Sequence, residues 1–361
     1  MISADQAALS DALRWVALAL PTRTPYPALM GVVLKASGDA VELSAYDDLG
    51  AHRMTVSVDV VEPGKALIPG ALLRDLVAAL PSGQKLDLFA TDHGAELRAD
   101  GATYSLPVLP LDDYPPVPDA PDVVGIVRPR ELSDALSAVS PAIDDDTDAD
   151  RRGVHLWASD GILSVVGISP SLVIVRHVEY SGDDFRERMS PGLLSDALRG
   201  AADDGDLFIR VGHGLVSLSN DGGRRTSLMQ TYYPTKVDWR KLIRPEPDPN
   251  SVVVEVAELT GALRRAALID PGAVYVHATP DGPLAIECEG ARELIDVVYR
   301  TGEFFSRLNP DYLAKAARSM GSGTVSLSVT DNERSSVIVR PLDEDNVDID
   351  GAAVIAPKRE I

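Results

Sequence analysis

The side chains whose types and spacing could do chemistry are few. Asp144, Asp145, Asp146, Asp148 and Asp150 crowd one short run. Their Asp-x-Asp-x-Asp spacing resembles the opening of an EF-hand loop, which needs glycine at its sixth position and glutamate at its last. Those positions hold Ala149 and His155, so a solvated acidic loop is expected and no metal site is assigned. Cys288 is the only cysteine. It excludes an internal disulfide, suits a reducing compartment, and reads as a small buried strand residue. His93-Gly94 and His213-Gly214 recur 120 residues apart, which marks repeat-related turns rather than acid–base catalysts. The sequence has no phosphate-binding loop, no Gly-x-Ser-x-Gly elbow and no zinc pair. No enzyme and no cofactor are expected.

The chemistry that remains is electrostatic. Arg14, Arg74, Arg130, Arg199, Arg264, Arg265, Lys315 and Arg318 fall on or at the start of six expected helices, together with Asp11, Asp75, Asp134 and Asp196. Any one of these cations is equally well explained as a solvated helix face. Together they could make non-specific, salt-sensitive contacts to phosphates. The net charge is −21, and residues 1–118, 119–244 and 245–361 carry −7, −5 and −9. No part is basic overall, so any nucleic-acid contact must come from a local positive surface on an acidic body.

The elements that would position these groups repeat. Leu9-Ser10-Asp11-Ala12-Leu13 recurs as Leu132-Ser133-Asp134-Ala135-Leu136 and more loosely as Leu259-Thr260-Gly261-Ala262-Leu263. A proline opening a helix recurs at Pro69, Pro191 and Pro310, and a glycine leading into a strand at Gly31, Gly153 and Gly272. The shared period of about 120 residues is too long for a solenoid and long enough for each copy to bury its own core. Three domains of one fold are expected, at 1–118, 119–246 and 247–361. Proline-rich joints at 110–121 and 244–250 would hold them as semi-rigid spacers.

Each repeat reads as helix, strands, helix, strands. The first helix is expected over 4–20, with Ser3 and Gln6 as a capping box and Leu9, Leu13, Val16 and Leu20 as its apolar face. The second is expected over 70–80. Asn309 and Pro310 form the clearest cap. Two helices and about eight strands per repeat imply an α+β fold with both helices on one sheet face. No signal peptide or membrane span is expected.

Residues 103–118, Thr-Tyr-Ser-Leu-Pro-Val-Leu-Pro-Leu-Asp-Asp-Tyr-Pro-Pro-Val-Pro, closely resemble the segment closing the first domain of bacterial DNA sliding clamps, the β subunit of DNA polymerase III. Arg23-Thr-Pro-Tyr-Pro27 resembles that family's Arg-Pro-Thr-x-Pro entry to its first sheet. Leu308–Ala314 and Val329–Asn332 resemble its third-domain helix and strand, and Val354–Arg359 its C-terminal tail. The resemblance spans the chain, with actinobacterial members nearest in style. It implies a DNA clamp fold, two helices on antiparallel sheets in each of three domains, and a head-to-tail ring dimer around double-stranded DNA. The implied partners are DNA, a second copy, DNA polymerase and clamp loader subunits, in the cytoplasm and with no membrane. Arg23 is retained near the implied DNA path. The implied dimer positions are Tyr104 and Leu106 on an edge strand, facing Leu268 and Ile269 of the other copy; intradomain core remains open as their alternative.

The implied partner-peptide cleft departs from the family. Where the family has a Thr-Asp-Gly-His-Arg-Leu-like run, this chain has Ile168-Ser169-Pro170-Ser171-Leu172-Val173. Arg151 replaces a usual leucine, and Ala356 and Lys358, flanking Pro357 after Val354, replace two methionines. Pro234, Lys241 and Leu242 match the third wall. Unpaired cations in such a cleft should weaken an apolar ligand. Two functions follow: a working processivity clamp, or a diverged paralogue serving a specialised polymerase, inhibitor tolerance or a scaffold role.

Overall fold

The structure, a computed structural model, describes residues 1–143, 151–199, 205–233, 237–243, 250–278, 282–329, 335–343 and 351–358. The Asp144–Asp150 loop, Pro234, the joint at 244–249 and Arg359 lie outside them. The described α-helices are α1 (Gln6–Val16), α2 (Gly70–Ala79), α3 (Pro129–Val139), α4 (Pro191–Leu198), α5 (Val256–Ile269) and α6 (Pro310–Ser319). The chain forms two compact units, one of residues 1–129, 181–183 and 192–232, the other of 130–180, 184–191 and 233–361. The residues expected as a second repeat contribute to both.

In the first unit, strand Ile2–Asp5 pairs antiparallel with Lys85–Thr91, and the small sheet continues through Gly94–Ala99 to an edge at Ala102–Leu106. That pairing corrects the expected start of the first helix. Ser3 lies in the ladder opposite Asp87, so Asp5 makes the cap instead, its Oδ1 accepting from the amides of Ala7 and Ala8 at 2.9 and 3.2 Å. Leu9, Leu13 and Val16 of α1 and Leu73 and Val77 of α2 are fully buried in one core with Leu43, Ile68, Leu86 and Leu97. Helical spacing put these apolar residues on one stripe.

The larger antiparallel sheet of this unit runs Val123–Val127, Leu207–Gly212, Leu215–Asn220, Arg225–Gln230, Gly50–Ser57, Ala40–Tyr46, Gly31–Ser37, Gly64–Pro69. His213 and Gly214 form a tight turn, both at positive φ (53° and 75°). The first proline joint is pinned down. Leu109 donates its amide to the Leu67 carbonyl at 2.8 Å, and Arg53 donates to the carbonyls of Val117 and Pro118.

In the second unit a long antiparallel sheet runs Phe185–Met189, Val154–Ser159, Ile162–Ile168, Leu172–Gly182, Ala352–Ile355, Val337–Leu342, Thr324–Val329, Asn250–Glu255, Tyr299–Thr301. A smaller one runs Phe304–Leu308, Val274–Ala278, Leu284–Cys288, Ala291–Ile295. Cys288 is half-buried, its thiol 3.8 Å from the Ala266 carbonyl. The side chain of Asn309 accepts from the amides of Asp311 and Tyr312, as its spacing from Pro310 predicts. Gly167 lies against the end of α3: a Cβ there would sit 2.4 Å from the Val139 carbonyl oxygen. The helix end therefore covers one face of this sheet.

Candidate nucleic-acid face and partner cleft

Seven of the eight cations expected on helices stand on them, Arg199 lying one residue past the end of α4, but their surroundings differ. Arg74 lies 2.8 Å from Asp75, Arg199 3.4 Å from Asp196, and Lys315 2.8 Å from Asp311. Arg265 grips Glu293 through Nε and Nη2, which holds that carboxyl below its usual range. Among the described residues, Arg14, Arg23, Arg130, Arg264 and Arg318 are exposed and make no ion pair. Asp11, next to Arg14 on α1, is neutralised by Arg225 at 2.5 Å. In the first unit Arg14 and Arg74 flank a shallow groove between α1 and α2. In the second unit an open groove of about 680 Å³ is lined by Glu131 and Asp134 from α3, Lys315 and Arg318 from α6, and Arg176. Arg176 is already committed, donating to the Met320 carbonyl at 2.6 Å.

The face of the long sheet away from α3 holds the expected cleft residues. Side chains alternate along strands, and the register therefore puts Ile168, Val166, Val173, Val175, Val354 and Ala352 on one face. All six belong to one buried cluster. What covers them is Trp239, itself 6 % exposed, with Val237 and Ile243 packed alongside. Leu172 is not part of this cluster; alternation turns it to the opposite face, where it is 1 % exposed. Pro170, Lys241, Leu242 and Lys358 are exposed, and Arg151, Ala356 and Pro357 half-buried. The tail is tied by its backbone, Ala356 donating to the Ser171 carbonyl and Lys358 to that of Arg307.

A neighbouring row on this face was not singled out from the sequence. Arg186, Trp157, Ser164 and His177 stand opposite one another on adjacent strands. Guanidinium carbons of Arg186 and Arg240 lie 4.0 and 3.9 Å from the Trp157 ring centre. Trp239 meets Trp157 edge-on, centroids 6.1 Å apart. One row on, buried His155 faces buried Arg188. Burial first, then the Arg188 charge, lowers the His155 pKa to about 4.

A family profile described as DNA polymerase III beta subunit, N-terminal domain, matches residues 1–118. The beta sliding clamp of Micrococcus luteus is 29 % identical over 72 % of this chain and 85 % of its own. The beta sliding clamp homolog GriR of Streptomyces muensis is 25 % identical over 93 % of this chain and 92 % of its own. The crystal structure of the DNA polymerase III subunit beta from Pseudomonas aeruginosa superimposes with a TM-score of 0.88 at 22 % identity, covering all of both chains. The chain has the fold of the beta sliding clamps and resembles them along its length, and its first 118 residues match that family's N-terminal domain.

The dimer positions that the resemblance implies divide. Leu268 and Ile269, at the end of α5, are 81 % and 57 % exposed, and Leu294 on the neighbouring edge strand Ala291–Ile295 is 57 % exposed. Leu268 and Ile269 form an uncovered apolar pair at the helix end, whereas Leu294 is turned to the opposite sheet face from its neighbour Glu293, which bonds Arg265 of α5. Leu106 does the reverse: it is 5 % exposed and belongs to the first unit's core, against which Tyr104 also packs. Its strand remains a sheet edge, with backbone groups open on one side. Trp157 and Trp239 left no signal in the sequence to mark them, because an isolated tryptophan near a strand usually reads as core.

Proposed function

We propose that this chain works as a DNA sliding clamp. Two copies close head-to-tail into a ring around duplex DNA and tether a polymerase, with no chemistry of their own. One observation carries the reading: four of the arginines without an ion-pair partner, Arg14, Arg130, Arg264 and Arg318, stand on four different helices of an acidic chain. Such groups offer phosphates a non-specific, sliding contact. Three repeats of one fold suit this role. Two units replace three where sheets run on across the joins, Gly50–Ser57 onto Arg225–Gln230 and Leu172–Gly182 onto Ala352–Ile355. A head-to-tail contact that closes after two copies is a heterologous interface of the kind that makes rings. The cytoplasm is the compartment such a role requires.

The test is reconstitution with the host's polymerase and clamp loader on a primed circular template. Long products that shorten when the chain is omitted support the reading. Unchanged product length, with the chain folded and dimeric, ends it.

A second reading, a paralogue with altered docking, is favoured by the Trp239 cover over Ile168, Val173 and Val354. A partner segment would meet an indole and two arginines before reaching the aliphatic floor. Under this reading the chain serves a specialised polymerase, inhibitor tolerance or a scaffold. Calorimetry with a clamp-binding polymerase peptide separates the two: micromolar binding supports the ordinary processivity factor, and an intact dimer that binds none supports the paralogue.

A further inference from the structure

We infer that α3 repels the DNA backbone where its repeat counterpart α1 attracts it. Asp134, on the wall of a groove shared with α6, keeps phosphates off α3 beyond Arg130 and passes them to Arg318. The inference rests on the reading that these helices face DNA, and names the helix that the duplex avoids.

The two helices are built to one pattern. Leu9, Ala12 and Leu13 of α1 and Leu132, Ala135 and Leu136 of α3 are buried, so each helix turns the same face to solvent. On that face Asp11 corresponds to Asp134 and Arg14 to Ser137, and all four are exposed. The shape is shared and the charge is not. On α1, Arg225 cancels Asp11 at 2.5 Å and leaves Arg14 as the net charge. On α3 a serine stands where that arginine would be, and Asp134 makes no ion pair among the described residues.

The grooves beside the two helices differ accordingly. In the first unit the walls carry Arg14 from α1 and Arg74 from α2, the latter with Asp75 beside it. In the second unit Glu131, Asp134 and Ser137 form the α3 wall, and Lys315 and Arg318 the α6 wall. Lys315 is shared with Asp311 at 2.8 Å, and Arg176 on the floor donates to the Met320 carbonyl. Arg318 is exposed and makes no ion pair among the described residues. Arg130 stands at the start of α3 and does not line the groove.

A phosphate brought to this groove therefore meets opposite signs on its two walls. It is drawn to Arg318 and pushed from Asp134, so the strand tracks along α6 while the far wall stays solvated. A carboxylate and a phosphate about 6 Å apart in water repel enough to lower a binding constant about threefold. Salt screens that repulsion as it screens the attraction.

The test is fluorescence anisotropy of a labelled linear duplex with the full-length chain, across a series of sodium chloride concentrations. Asp134→Asn should bind about threefold more tightly at low salt. Asp134→Asn/Ser137→Arg rebuilds on α3 the charge that α1 carries; it should bind more tightly still and steepen the salt dependence by about 0.9, one phosphate's share. Both positions are exposed, and circular dichroism checks that the helix is kept. A loss of packing would weaken binding, not strengthen it, so the expected gain has no structural imitation. Arg318→Gln, on the other wall, should weaken binding and flatten the salt dependence. Unchanged affinity in both α3 variants, with Arg318→Gln weakened, overturns the inference and leaves the DNA reading standing. Unchanged affinity in Arg318→Gln and in Arg14→Gln overturns both.

Discussion

Two buried histidines set the pH behaviour of the fold, one in each unit. His52 is 4 % exposed, packs edge-on against Trp15 and shares a 3.0 Å hydrogen bond with Ser227. Burial pushes its pKa down to about 4, as it does for His155. The unfolded chain takes up a proton near the ordinary histidine value, whereas the folded chain resists until about pH 4. Stability is therefore full above the ordinary value and falls as the medium is acidified through that window. Between pH 7.5 and 5 each histidine should remove about 2 kcal/mol, before most carboxylates titrate. Urea midpoints across that range measure it, and a flat profile would show that neither ring is held neutral. Trp239 is the other telling residue. Trp239→Ala should cost about 3–5 kcal/mol by emptying the space above Val173 and Val354. Trp239→Phe should cost far less, because it also removes a buried N–H that has no acceptor. Neither histidine was marked as buried in the sequence, since a histidine inside a strand carries no local sign of its depth, whereas His93 is placed in a turn by the glycine after it.

At the scale of elements, what could be read from the sequence was what local chemistry decides. The Asn309–Pro310 cap appears as expected because the asparagine oxygen, the fixed proline φ and the following apolar stripe all act within one turn. Asn309→Ala should cost about 1 kcal/mol, seen as a matching drop in unfolding free energy with an unchanged m-value. Ser3 failed as a cap for a non-local reason. Its backbone is taken by a strand more than eighty residues away, and the cap passes to Asp5, the last residue of that ladder, whose carboxylate reaches the first amides of α1. The same holds on the cleft face. Alternation identifies which residues share a side, but it cannot show that Trp239 would lie over them from a separate segment. Gly167→Ala tests how closely α3 sits on the other side. A Cβ 2.4 Å from the Val139 oxygen cannot be accommodated by a rotamer change, so the end of α3 must shift. The variant should unfold at measurably lower urea than the unaltered chain, with the loss confined to the second unit in hydrogen exchange.

At the scale of the whole molecule, the repeat of about 120 residues was legible because three kinds of marker shared it. The grouping into two units was not, because it depends on which edge strands meet. The dimer positions pose the same problem in sharper form, since an apolar residue on an edge strand or a helix end can belong to a core or to a partner. Exposure separates them here. Leu106 at 5 % belongs to the core, and Leu106→Ala should act on folding, at about 2–5 kcal/mol. Leu268 and Ile269 contribute almost nothing to the core of the single chain, at 81 % and 57 % exposed, so a charge there should leave the melting of the isolated subunit nearly unchanged. Buried against a second copy, the same charge would be unpaired and strongly unfavourable. Leu268→Asp/Ile269→Asp should therefore sediment as a monomer at concentrations where the unaltered chain is a dimer, with its circular dichroism intact. A dimer that survives both substitutions would mean that copies meet elsewhere, and a ring closed through the end of α5 would have to be abandoned.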